Sequence, residues 1–452
     1  MSGAGRGTTI KPRLPALQQQ IGAVAMGLMV LGVASFAFLS LSGRALGPAA
    51  FAPLATLWVV VNAAGPAFFQ PLEQELGRAV AHAAAQGRGS RTVFLRGATL
   101  GGLIVCVCAV GLWASFDVLS EEVFHGQGVL VLALLIGLSG LGMEHLTRGA
   151  FAGSQAFGRY GWQLGLDGVL RLAATAVLFL VGVQTVGWYA LVLALAPVAA
   201  VLLTAWDLGP AVRPARPDQS WGQLSRAVGA LMIGTTLAQF VVNAAPVVAN
   251  VLAAPGEEAR AGVFISVLVL ARIPLFLFSA IQAAFLPGLA ALVSQGDRIG
   301  FGQRLRSVLL LVGALGAVGL LVFISIGPWL VSTFYGPGFA TSRVDLWPLA
   351  AGAGLFMVAS ALAQVLVSLR AYVASVLGWV GGSAAFVLAV LVPGRLEQRV
   401  GLAFFAATAA AALIAGLAVR RCLITGWPTV GPMVAPPPAR DVPPGSGAGS
   451  LP

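Results

Sequence analysis

Apolar positions in this chain neither alternate nor recur on one helical face; they fall in long runs of about twenty residues or more, the fourth and fifth interrupted by Glu144, His145, Asp167 and Arg171. Twelve such runs are legible, roughly 19–42, 51–71, 97–115, 129–147, 162–182, 187–206, 227–252, 262–292, 308–331, 346–369, 373–392 and 401–419. A bilayer core about 30 Å thick is crossed by about twenty helical residues, and inside it only a helix satisfies its own backbone within one segment. The pattern therefore predicts an all-α polytopic membrane protein with about twelve transmembrane helices. Loops are short. The stretch 207–226 contains Pro210, Pro214 and Pro217 and reads as a linker. The expected organisation is a disordered N-terminus over 1–16, a six-helix bundle over 17–206, a cytoplasmic linker over 207–226, a second six-helix bundle over 227–420, and a disordered Pro/Gly-rich tail over 421–452.

The halves repeat. Phe124-His125-Gly126 before the fourth run matches Phe334-Tyr335-Gly336 before the tenth, 124 against 334, an offset of 210. Leu46-Gly47-Pro48 meets Pro255-Gly256, and Arg159-Tyr160 meets Arg370-Ala371-Tyr372, in nearly the same register. Six helices per half give both halves one orientation, so the bundles are expected to be pseudo-symmetric about an axis along the membrane normal. A central cavity between them is the alternating-access arrangement.

Charge changes the picture only in topology. The chain is 58% hydrophobic and 9% charged, with a formal charge of +11. With both termini inside, 19 of the 26 Lys and Arg residues fall in cytoplasmic segments and five in outer loops, leaving Arg171 and Arg272 within spans. That bias is the positive-inside signature, not a nucleic-acid one, and it predicts a multi-pass plasma-membrane protein with both ends cytoplasmic. Reporter fusions after Ser120, Glu258 and Ser342 are expected to read outside, and fusions after Gln86, Asp218 and Asp297 inside. Two or more reversed readings would reject this topology. Cys106, Cys108 and Cys422 read as small hydrophobes. No metal-ligand spacing, no cofactor motif and no signal-peptide pattern are legible.

Arg272 is the most informative residue. It lies ten residues into an apolar run, about 15 Å deep at ~1.5 Å per residue, where a guanidinium costs on the order of 3 kcal/mol unless it faces a polar cavity. Candidate substrate-binding residues around it are its repeat mate Asn62, Gln70 and Glu73 at the end of the second span, Gln239 and Asn243 at i,i+4 on the seventh, Gln282, and Gln364. Asn250 continues the polar stripe of the seventh span. Asp167 and Arg171, also at i,i+4, are expected to form an ion pair. Glu144-His145 is expected at the membrane interface.

Three segments carry a family resemblance: Ser42-Gly43-Arg44-Ala45-Leu46-Gly47-Pro48-Ala49-Ala50-Phe51; Ala271-Arg272-Ile273-Pro274 with Phe285-Leu286-Pro287; and Thr333-Phe334-Tyr335-Gly336-Pro337-Gly338-Phe339. In order and spacing these resemble the multidrug/oligosaccharidyl-lipid/polysaccharide exporter superfamily, and within it the O-antigen-type polysaccharide-biosynthesis flippases. The resemblance implies a V-shaped pair of bundles that flips a polyprenyl-diphosphate-linked glycan from the cytoplasmic to the outer leaflet. It also implies contact with membrane lipid and with glycan-assembly enzymes, and no enzymatic activity. Arg272 suits the diphosphate, since a guanidinium pairs well with phosphate oxygens. Three readings compete: a drug or cation antiporter of the same superfamily, a membrane glycosyltransferase, and a non-transporting membrane scaffold. A cation site would call for acidic residues at that depth, and a glycosyltransferase for carboxylates in an early outer loop.

Overall fold

The computed structural model describes residues 14–85, 88–206, 208, 213–214, 221–275, 278, 289, 292–293, 295–369 and 371–425. Among them, twelve long helices follow in order: α1 Leu14–Ala64, α2 Gln70–Ala85, α3 Arg91–Ala114, α4 Gly128–Gly153, α5 Phe157–Leu180, α6 Val186–Thr204, α7 Trp221–Val251, α8 Glu258–Ala271, α9 Arg298–Tyr335, α10 Arg343–Ser368, α11 Tyr372–Val390 and α12 Leu396–Thr425.

The first apolar stretch, Gly22–Ala84, is 63 residues long. At ~1.5 Å per residue that is about 95 Å, three times the hydrocarbon core, so one crossing cannot hold it. The break is at Gly47, whose φ of 73° and ψ of 168° interrupt the helix just before Pro48. A residue preceding proline is pushed out of helical geometry, and glycine alone takes the positive φ without strain. The repeat mate Gly256 has a φ of 90°, and the second matched pair, Gly126 and Gly336, has φ of 81° and 103°. The glycines matched by sequence thus take positive φ in both halves. A further irregularity joins α1 to α2. The π-turn Gly65–Phe69 contains Pro66, which has no N–H for the Asn62 carbonyl.

Ten helices among the described residues are long and apolar enough to cross a membrane. The first is long enough to cross twice. The eighth expected span continues past α8 into residues outside the described ones. The chain is a polytopic membrane protein. α1 starts at Leu14 and α12 runs to Thr425, so the expected terminal segments lie outside the described residues except at those edges. Most of the expected linker is also outside them, and its last residues belong to α7.

Helix packing repeats with the sequence. In the first half α1 packs on α5 and α6, α2 on α4, α3 on α4, α4 on α6, and α5 on α6. In the second half α7 packs on α11 and α12, α8 on α10, α9 on α10, α10 on α12, and α11 on α12. Each pair in one list is its counterpart moved by six helices, so the two bundles are pseudo-symmetric in their packing. Small residues set the close crossings. A Cβ on Gly161 of α5 would lie 2.2 Å from the Ala23 carbonyl oxygen of α1, and one on Gly153 of α4 2.6 Å from the Gly77 oxygen of α2. The bundles meet through α1, α2, the π-turn and α3 on one side and α7, α8 and α9 on the other.

Candidate functional site

Arg272 follows α8 where the helix breaks. Its backbone N–H bonds to the Val269 carbonyl, a tighter turn than an α-helix makes, and Pro274 follows two residues later. The side chain is 9% exposed. It crosses to α7, where Nη1 donates to Asn243 Oδ1 at 3.0 Å and Nη2 to the Val242 carbonyl. That carbonyl is available for a sequence reason. Its helical partner would be the N–H of residue 246, which is Pro246, and proline has none. Asn243 in turn donates to Gln239 Oε1 at 2.8 Å. Arg272 Nε is buried with no hydrogen-bond partner. Among the described residues no carboxylate pairs with this guanidinium.

The structure therefore joins three of the sequence-predicted site residues, Arg272, Asn243 and Gln239. The others go elsewhere. Asn62 is exposed on α1, its amide donating to the Trp58 carbonyl at 2.8 Å. Gln70 is half-buried at the start of α2. Gln364 is half-buried on α10, with a buried, unpartnered Oε1. Gln282 lies outside the described residues, as do Phe285 and Pro287. Asn250 leaves the α7 stripe: fully buried, it bonds to the turn before α4.

Glu73 belongs to a second centre, inside the first bundle. His145 Nδ1 lies 2.6 Å from Glu73 Oε2, and the Tyr160 hydroxyl donates to Glu73 Oε1 at 2.6 Å. Arg148 Nη2 lies 2.6 Å from Glu144 Oε1, an ion contact whose alignment does not make a hydrogen bond. Arg171 Nη2 donates to both Asp167 oxygens, at 3.0 and 2.8 Å, and its Nη1 to Ser35 of α1 at 3.2 Å. Gln163 ties Thr147 of α4 to Thr204 of α6. Two expectations are corrected here. Glu144 and His145 are not solvated at a helix end; they are 1% and 8% exposed inside the first bundle. Arg148, counted above as cytoplasmic, is buried beside them. The legible signal was spacing: Glu144 with Arg148 and Asp167 with Arg171 both stand at i,i+4.

The centres differ in electrostatics. Glu73, Glu144 and Asp167 each have a basic or hydroxyl partner, as ions held away from water require. Arg272 has dipoles only. Its polar shell is pre-formed, its charge meets no carboxylate among the described residues, and Nε has no partner there. Such a group suits an anion. A cavity of about 500 Å³ lies elsewhere in the second bundle, between Arg260, Phe264, Asp345 and Glu397. Arg272 does not line it.

No family model matches the chain. It is 30% identical over 412 residues to the uncharacterized protein Rv1510 of Mycobacterium tuberculosis strain H37Rv, a match covering 88% of this chain and 90% of that one. Its fold is similar to that of a multidrug resistance MATE family transporter of the MOP superfamily in an inward-facing conformation, with a TM-score of 0.68 and 15% identity over 89% of this chain and 98% of that one. A MOP superfamily transporter from Pyrococcus furiosus, for which reverse polarity of the binding pocket suggests a different function, has a TM-score of 0.63 and 14% identity, covering 90% and 96%. These likenesses establish a shared fold.

Proposed function

We propose that this chain, which belongs to the family of Mycobacterium tuberculosis Rv1510, is a plasma-membrane transporter that carries a polyprenyl-diphosphate-linked glycan precursor from the cytoplasmic to the outer leaflet by alternating access. One observation carries the reading: Arg272 is a buried guanidinium with no acidic partner among the described residues and a spare donor at Nε. The repeated bundles supply two bodies that can rock about a site between them. The diphosphate would complete the shell of Arg272, the sugar would pass between the bundles, and the lipid tail would stay in the membrane. The fold shared with MOP transporters supports a transporter over an enzyme or a scaffold.

The second reading, export of an organic cation, draws on the buried carboxylates of the first bundle and on the MATE likeness. Those carboxylates already have partners, which counts against it. Asn243→Asp separates the two. It places a carboxylate 3 Å from Arg272 and neutralises it internally, at nearly constant shape. The expected result is loss of lipid-linked glycan transport in proteoliposomes, with thermal stability equal to the parent or higher, since a buried charge gains its counter-ion. Unchanged glycan transport, or new uptake of organic cations, would overturn the anionic-cargo reading.

A further inference from the structure

On the face that the arginine distribution assigns to the outside, each half holds the other at a helix end. On one side, Ser40 Oγ donates to the Phe334 carbonyl, as does Arg44 Nε at 2.8 Å, while Arg44 Nη2 donates to the Thr333 carbonyl. On the other, the Asn250 amide donates to the Val123 carbonyl at 2.6 Å, and its Oδ1 lies 3.1 Å from His125 Nε2. Ser40 and Asn250 are 210 residues apart, as are Phe124 and Phe334. The two contacts are therefore pseudo-symmetry mates: the first helix of each half holds the turn that precedes the fourth helix of the other. The backbone acceptors, Thr333, Phe334 and Val123, are carbonyls of a last helical turn, which lack intrahelical donors.

Between these corners the face is packed shut. The rings of Phe51, Tyr335 and Phe339 lie with centroids 5.3–5.7 Å apart. A Cβ on Gly43 would come within 2.7 Å of the Tyr335 ring, and one on Gly262 within 2.0 Å of the Pro48 carbonyl oxygen. The corners are not equivalent. Arg44 brings a cation to the negative end of α9, a favourable placement, whereas the residue 210 further on is Ala254. Arg44 is also exposed, so water can replace its bonds when the halves part.

We propose that Ser40 with Arg44, and Asn250 with His125, are the two corners of one releasable outer latch, the Arg44 corner being the stronger, and that both must open for cargo to leave. The cargo rests on the transporter reading above; the latch itself does not. The test uses the full chain with Cys106, Cys108 and Cys422 replaced and a reporter thiol at Thr56→Cys, a fully buried position on α1 beneath Phe51. A membrane-impermeant maleimide is applied to the latch face of reconstituted vesicles, with no cargo present. The parent is expected to label slowly. Arg44→Ala with Asn250→Ala should label about tenfold faster or more, given the strength of hydrogen bonds from a charged donor, and Arg44→Lys with Asn250→Gln should stay near the parent. In a second chain, His125→Cys and Asn250→Cys joined by a short reducible bis-thiol reagent should suppress labelling until the cross-link is cut. Equal rates in monodisperse parent and double-alanine chains would overturn the latch. Should the double variant fail to fold, labelling unaffected by the cross-link would overturn it instead. Failure of the transporter reading would show separately, as no glycan movement by the parent.

Discussion

Arg272→Met is expected to reduce strongly the proposed transport of a lipid-linked glycan while leaving the protein folded. The magnitudes decide this pairing of outcomes. Hydrogen bonds to charged groups contribute about 1.5–3 kcal/mol each, so losing the proposed contact of Nε with phosphate is expected to lower the transport rate by about tenfold to a hundredfold. Stability moves little. Methionine removes an uncompensated charge that costs on the order of 3 kcal/mol at this depth. It also leaves the Val242 carbonyl, freed by Pro246, without its donor, a loss of about 1–3 kcal/mol. The two terms offset. Arg272→Lys keeps the charge but not the fork, and is expected to retain partial transport. The check is transport and thermal melting on the same purified samples. A well-folded Arg272→Met variant with full transport would show that Arg272 only closes the gap left by Pro246.

The largest effect on stability is expected at Asp167, far from Arg272. Asp167→Ala leaves Arg171 with Ser35 as its remaining side-chain partner, inside a bundle where that guanidinium is 5% exposed. Breaking a buried pair from one side costs about 3–5 kcal/mol. Removing both charges at similar volume, Asp167→Leu with Arg171→Met, is expected to recover most of that loss. Thermal unfolding in detergent reads both. A single variant as stable as the parent would mean that water or lipid headgroups reach Arg171, and the network would lose its structural role.

Legibility followed the dimension in which each force acts. The bilayer imposes one length on every crossing, and that length is a property of sequence alone. Hence the helices, their near-positions and the two-half organisation were readable. The 210-residue register was readable too, because the matched turns need glycine at positive φ, as at Gly126 and Gly336. The expected ion pair of Asp167 with Arg171 was local, one turn apart. Glu144-His145 misled because two polar residues near the end of an apolar run look like a helix emerging into water. Arg148 pairs with Glu144 one turn along the same helix, but Glu73, which holds His145, and Tyr160, which shares Glu73, lie on two other helices that a hydropathy reading cannot bring together.

By itself, then, the sequence determined the membrane class, the repeat, the gap between the first two spans that holds Gly47, and the conflict posed by one arginine in an apolar run. Only the tertiary structure decided how that conflict is met. Arg272 reaches α7 rather than a carboxylate because α7 and α8 pack so that a carbonyl freed by Pro246 faces it. Asn250, read from sequence as one more residue of a polar stripe, instead holds the opposite half of the molecule. The physical reason is common to both. A buried polar group must find a partner, and in a helical membrane protein that partner depends on the register and facing of two separate helices. Those are set by close packing at residues such as Gly161, Gly153 and Gly262, and not by the run of apolar residues that places each helix in the bilayer.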